Sequence, residues 1–180
     1  WASPYTERSY KWRQKFLLNP ENVFPSILII PSVNADCSGV IITKNVISGN
    51  SDAITLAFNK GVGGAVEGQV SETWLVSGNH HQLISVAREP VKTTLPLTGG
   101  VRKNYISFDQ QVLRVSDLRN LSTLTDEAIK KLSVSEGIEK NVPFDLELGI
   151  KDGKIWLFQV RPFVENRNAT ATDYLSGSKQ

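Results

Sequence analysis

The residues best suited to chemistry lie between Pro143 and Pro162, where PFDLELGIKDGKIWLFQVRP carries two carboxylates, an amide and a guanidinium on two strand-like runs. Successive strand residues point to opposite faces, so Asp145, Glu147 and Gly149 share one face and Phe144, Leu146 and Leu148 the other. Asp152-Gly153 between the runs favours a tight hairpin. After it, Ile155, Leu157, Gln159 and Arg161 alternate with Trp156, Phe158 and Val160, and antiparallel pairing sets Gln159 and Arg161 across from Glu147 and Asp145. A carboxylate with an amide oxygen suits a hard cation such as Mg²⁺, which completes its shell with water and phosphate oxygens. Arg161 adds a planar fork of donors that fits a phosphoryl group. Such a set could hold a metal and a nucleotide phosphate. The same spacing also fits a solvated cross-strand salt-bridge face, the commoner fate of acidic residues opposite basic ones.

A hairpin holds such a set only with a sheet behind it. The apolar run Ser26 to Ile30, bounded by Pro25 and Pro31, reads as a buried strand, with Gly39 to Thr43 as its neighbour after the turn-forming Asn34-Ala35-Asp36. Strand patterns over Ile54 to Phe58 and Val70 to Val76 flank a loop with Gly61, Gly63, Gly64 and Gly68. Glycine lets backbone N–H groups approach a phosphate closely, so a cradle is one reading, although no Lys-Ser or Lys-Thr follows as a Walker loop requires. A tight turn into a short helix over Ala65-Val66-Glu67 is an equal reading. Residues 88 to 111, broken at Gly99-Gly100, suit strands with irregular connections.

Residues 5 to 18 carry helix spacing, with Tyr5, Tyr10, Trp12 and Phe16 as a stripe that packs on the domain and Arg8, Arg13 and Lys15 on the solvated face. Thr125 to Leu132 opens with a capping pattern and predicts a helix that Gly137 cuts short. His80 and His81 follow Gly78-Asn79 in turn-like sequence and read as exposed and non-catalytic. The expected class is α+β, a largely antiparallel sheet with a few flanking helices.

At 180 residues the chain suffices for one compact domain, expected over residues 1–163, with the polar, aperiodic stretch 164–180 as a tail or linker. Twenty basic and 18 acidic residues leave a net charge of +2, so no global field calls for nucleic acid or an anionic membrane. No apolar run reaches membrane-spanning length. The lone Cys37 cannot form an internal disulfide and reads as a semi-buried structural thiol, which makes the cytoplasm the default compartment. The sequons at Asn120 and Asn168 carry little weight without a secretory signal.

The hairpin resembles the closing strands of the nucleotide-binding domain in the phosphoenolpyruvate synthase and pyruvate, phosphate dikinase family, where an Asp-hydrophobic-Glu strand precedes a Gln-x-Arg-Pro strand. Here these read Asp145-Leu146-Glu147 and Gln159-Val160-Arg161-Pro162. WASPYTERSYKWRQ at the start, VNADCSGVIIT at 33 to 43, GVGGAVEG at 61 to 68 and LTDEAI at 124 to 129 resemble further family stretches, in the family's order. The resemblance implies the second half of an ATP-grasp domain that uses ATP and Mg²⁺. It implies Glu147 and Gln159 as metal ligands and Arg161 as the group that stabilises the transferred phosphoryl charge. Asp145 supports either, Val33 borders the adenine pocket, and Gly61 and Gly63 lie along the nucleotide.

By the same resemblance, a missing N-terminal half would hold a phosphate-contacting Lys and Arg, and a phosphohistidine domain would receive the phosphoryl group. The whole protein would then be an ATP-dependent phosphotransferase and this segment alone would turn over little. Members of that family commonly carry Gln where Ile30 stands, Met or a similar apolar residue where Ser32 stands and usually an acidic residue where Gly64 stands. Those departures leave room for a degenerate module kept for regulation or protein interaction, or for an independent β-rich binding module.

Overall fold

The computed structural model describes residues 2–65, 68–107, 109–132 and 142–163. The chain divides into two compact units, Trp1–Ser32 and Val33–Gln180.

The first unit opens with a 3₁₀ turn, Ser3–Tyr5, and helix α1, Glu7–Phe16. Thr6 caps α1 by accepting the Ser9 N–H on its side-chain oxygen, and Glu7 and the pair Arg13 and Lys15 lie at the helix ends that suit their charges. Arg8 and Lys15 are exposed as expected, but Arg13 is buried. Within this unit Tyr10, Trp12 and Phe16 are exposed, and the Trp12 and Phe16 rings meet each other with centroids 5.4 Å apart.

The run Ser26 to Ile30 is a second correction. It carries no strand ladder among the described residues and leaves Leu28 83% and Ile29 89% exposed. An apolar run becomes a strand only when a neighbour takes its N–H and C=O groups. Within this unit no described strand supplies that neighbour.

The second unit is built on a six-stranded antiparallel sheet in the order β4-β3-β2-β1-β7-β8. Its strands are β1 (Cys37–Ile42), β2 (Ile54–Lys60), β3 (Glu72–Ser77), β4 (His80–Ser85), β7 (Phe144–Lys151) and β8 (Lys154–Pro162). β5 (Val91–Thr94) and β6 (Arg102–Tyr105) form a separate ribbon whose tip holds Gly99 and Gly100. The ribbon meets the end of β2 at a parallel bridge between Gly61 and Thr93, and Leu95 N–H donates to Asn34 Oδ1 at 2.8 Å. With helix α2 (Val115–Leu132), the class is α+β, as the patterning predicts.

The core lies on one face of the sheet. Ile41, Leu56, Phe58, Phe144, Leu146 and Leu148 pack with Leu113, Leu118 and Leu121 in and before α2. Fully burying each of these large side chains contributes about 1.5–3 kcal/mol. The expected facing of β7 holds, with Phe144, Leu146, Leu148 and Ile150 buried in this core. Asp145 and Glu147 are thereby turned to the opposite face.

α2 starts ten residues before the expected Thr125. Asp117 accepts the Arg114 N–H at 2.9 Å on its side chain, closing the helix start, while Thr125 sits fully buried mid-helix and donates its hydroxyl to the Leu121 carbonyl. The expected stop at Gly137, the short helix over residues 65–67 beyond Ala65, and the tail 164–180 fall outside the described residues. His80 and His81 belong to β4 instead of a loop, because Gly78-Asn79 alone makes the turn; His80 is exposed and His81 half-buried.

Candidate functional site

The β7–β8 hairpin positions the polar set. Asp152 and Gly153 have φ of 50° and 74°, the two left-handed turn residues whose twist matches paired strands. The register places Asp145 opposite Arg161 and Glu147 opposite Gln159. It shifts between Glu147 and Leu148, because Leu148 pairs with Leu157 and leaves Phe158 as an extra, unpaired residue. Strict alternation along β8 is therefore broken: Ile155 and Val160 both pack against the core, which an unbroken strand forbids. The expected grouping of Phe158 with Val160 is corrected accordingly. The Phe158 ring lies over Gly149, where an added Cβ would come within 2.9 Å of it. A glycine inside a strand is the sequence signal for such a bulge, and Gly149 carries it.

Arg161 and Asp145 form the central ion pair. Arg161 Nε donates to Asp145 Oδ2 at 2.8 Å, Nη2 stands 2.7 Å from the same oxygen, and Nη2 lies 3.7 Å from Glu147 Oε1. The Asp145 hydrogen bond, with both carboxylates nearby, holds the Arg161 guanidinium even more firmly protonated than usual. Asp145 is 8% exposed, and its Oδ1 is buried with no hydrogen-bond partner among the described residues. Among the described residues, the Arg161 cation therefore faces two carboxylates, with a buried oxygen left over. That excess of negative charge and orphaned acceptor fits a divalent cation, with Glu147 and the Gln159 amide oxygen at hand to share it. Among the described residues, no group of three or more His, Cys, Asp or Glu could hold a metal unaided.

Beside the ion pair, a cavity of about 220 Å³ is lined by Val33, Ser38, Val62, Gly63, Glu147 and Phe158. It brings together three of the expected site residues, Val33, Gly63 and Glu147. Gly61 stands behind the wall, buried at φ +83°, where a Cβ would meet the Thr93 carbonyl at 2.3 Å. The amides of this turn are occupied: Gly61 N–H donates to the Asp36 carbonyl at 2.7 Å, Val62 N–H to the Thr93 carbonyl at 2.9 Å and Gly63 N–H to Ser38 Oγ at 3.1 Å. Ser38 and Phe158 are among the lining residues to which sequence patterning assigns no part in the site. A serine carries no periodic signal, and its loop partners lie 23 and 25 residues away.

Asp36 joins this turn to the tip of the hairpin. Its carboxylate accepts from Asp152 N–H at 2.8 Å and Lys151 Nζ at 2.9 Å. Those bonds, the backbone one first, hold its carboxyl below its ordinary 3.8, and Lys151 is correspondingly raised. A carboxyl with a lowered folded pKa stabilises the fold above its unfolded pKa, and that contribution disappears as pH falls through the folded value. The Asp36 side chain is 55% exposed, so solvent screening keeps the effect small. Asp36→Asn is expected to lower Tm by about 2 °C at pH 7 and by less at pH 2. Thermal melts of both proteins across that range check it, and an equal loss at both pH values would contradict it.

Cys37 lies in the core, and burial pushes its thiol up to about 12, which removes it as a nucleophile near neutrality. No described helix is long and apolar enough to cross a membrane.

Residues 1–179 match the family described as "Pyruvate phosphate dikinase, AMP/ATP-binding domain". The chain is 28% identical over 169 residues to a "Probable phosphoenolpyruvate synthase" of Methanocaldococcus jannaschii, which covers 89% of this chain and 14% of that protein. It is 30% identical over 174 residues to the enzyme of the same name from Archaeoglobus fulgidus, covering 93% of this chain and 22% of the relative. A "Rifampicin phosphotransferase" of Bacillus subtilis is 25% identical over 167 residues, covering 90% and 18%. The chain thus spans less than a quarter of the length of each of these relatives.

Proposed function

Because this chain belongs to the pyruvate phosphate dikinase AMP/ATP-binding domain family, we propose that it is one half of an ATP-grasp domain presenting Mg²⁺-bound ATP for phosphoryl transfer. The observation that carries the reading is the orphaned, buried Asp145 Oδ1 beside Glu147 and Arg161, at the edge of a cavity with an aromatic wall. Glu147 and Gln159 would hold the metal, with Asp145 behind them, and the ion would supply charge neutralisation to the phosphate oxygens.

The chain's own residues do the positioning. Asp145 fixes the Arg161 guanidinium from one side and leaves its other donors free to face a phosphoryl oxygen. Phosphoryl transfer asks chiefly for placement and electrostatic stabilisation, which a carboxylate pair and a guanidinium in fixed register provide. Val33, Val62 and Phe158 offer an apolar wall suited to a flat base, and Gly63 lets the ligand approach the backbone closely. Relatives named for different acceptors share this segment, so the reading assigns phosphoryl donation and leaves the acceptor open.

A second reading, nucleotide binding without turnover, has its own observation. A Cβ at the buried Gly64 would meet Gln69 Oε1 at 2.4 Å and Asn59 Cβ at 2.8 Å, so the loop is packed for a residue without a side chain. An acidic group there would need another loop shape.

Calorimetric titration of the whole protein with ATP in excess Mg²⁺ separates these readings when paired with an assay of phosphate release. Binding with turnover is the expected result, binding without turnover favours the second reading, and no binding by the folded protein defeats both. Arg161→Lys is expected to slow turnover about tenfold to a hundredfold, because an ammonium keeps the charge and loses the planar fork. Unchanged turnover in that variant would remove Arg161 from the transfer step.

A further inference from the structure

Ser38 is 8% exposed on β1, and the turn that follows β2 uses its hydroxyl twice. The hydroxyl donates to the Gly61 carbonyl at 2.8 Å and accepts from Gly63 N–H at 3.1 Å. A hydroxyl has one donor and two acceptor lone pairs, so it meets both backbone groups at once and keeps one lone pair. The same residue lines the cavity with Gly63, Phe158 and Glu147.

The other backbone ties of the turn run elsewhere. Gly61 N–H goes to the Asp36 carbonyl, Val62 N–H to the Thr93 carbonyl on β5. Both flank the turn and leave its Gly63 end to Ser38. Without the hydroxyl, the buried Gly61 carbonyl and the Gly63 N–H lose their partner together, and the turn must move to find water.

We propose that Ser38 is a positioning residue for the nucleotide: it clamps the Gly61–Gly63 turn to β1 and so fixes the cavity wall that Gly63 forms. The inference rests on reading this cavity as the nucleotide site. It predicts that the hydroxyl matters to ligand affinity through the turn, while the chemistry at Glu147 and Arg161 is left intact.

The test compares the whole wild-type protein with Ser38→Ala and Ser38→Thr by amide hydrogen exchange, ATP affinity in excess Mg²⁺, and turnover at saturating ATP. In Ser38→Ala, exchange across residues 60–65 is expected to quicken and the Kd for ATP to rise about tenfold, the equivalent of one hydrogen bond. Saturated turnover should stay within about twofold, and Ser38→Thr, which keeps the hydroxyl, should restore both affinity and exchange. Should the alanine protein not fold, Ser38→Cys fills the position with a far weaker bonding group and is expected to show the same direction of change.

Faster exchange with unchanged affinity would make Ser38 a structural tie only, and unchanged exchange would remove the clamp itself. If the wild type binds no ATP, the nucleotide reading fails and the positioning role with it, while the exchange data still decide whether the clamp exists.

Discussion

Glu147→Ala is expected to lower Mg²⁺-dependent phosphate release from ATP by about 10²-fold or more while leaving the protein folded. Glu147 is half-buried at the cavity edge, opposite Gln159, and its ion contact among the described residues is the 3.7 Å approach of Arg161 Nη2. That contact is too long to carry the fold, and Asp145 holds Arg161 by two closer ones without it. The substitution therefore removes one of two carboxylates at a single cation and little packing. Tm should move by no more than about 2 °C.

The prediction separates a metal-holding site from a solvated salt-bridge face. On an exposed face, loss of one acidic partner changes stability slightly and function not at all. Turnover measured against Mg²⁺ concentration distinguishes them: a higher Mg²⁺ requirement with a collapsed maximal rate supports the assignment, and near-normal turnover at ordinary Mg²⁺ ends it. Glu147→Gln sharpens the result, because it keeps the size and one oxygen but removes the charge.

The parts of this site legible in the sequence are those set by neighbours along the chain. Asp145, Glu147 and their apolar alternates Phe144, Leu146 and Leu148 declare their faces by period alone, and Asp152-Gly153 sets the turn and hence the register of Arg161 and Gln159. What escapes is decided between distant segments. The Phe158 bulge depends on how β8 slides past β7, and its one local trace is Gly149. The Ser38 clamp depends on a turn more than 20 residues away. Ser26 to Ile30 has strand composition, yet strand formation is a two-body event that composition cannot supply. α2 begins at a cap formed by Asp117 and Arg114, and the more familiar Thr-Asp-Glu pattern at Thr125 to Glu127 is spent inside the helix.

Among polar substitutions, Glu72→Ala is expected to cost the fold heavily. Glu72 lies on β3 and is 2% exposed. Its Oε1 accepts from the Trp74 indole N–H at 2.9 Å and from Leu113 N–H at 2.9 Å, and its Oε2 accepts from Val112 N–H at 2.7 Å. An ionised carboxylate is an acceptor on both oxygens, which suits three converging donors and offsets the desolvation of its charge. Two of those donors belong to the segment that leads into α2, 40 and 41 residues further along the chain, so the side chain fastens the helix to the sheet.

Alanine at position 72 leaves all three donors facing apolar surroundings, and each buried unpaired group costs about 1–3 kcal/mol. Relaxation of the Val112–Leu113 backbone recovers part of that, leaving a loss of about 3 kcal/mol or more and a fall in Tm of about 10 °C. Glu72→Gln should fall between wild type and alanine, since the amide keeps one oxygen but turns an NH₂ toward a backbone donor. Thermal unfolding of the three proteins checks the order, with near-ultraviolet circular dichroism reporting the Trp74 environment. A fall below about 3 °C for alanine would mean that α2 is held by its apolar face, Leu118 and Leu121 foremost, without help from Glu72. The core and the site occupy opposite faces of the sheet, so ATP affinity measured well below Tm should be unchanged by the loss of Glu72, whereas loss of the Ser38 clamp should weaken it about tenfold.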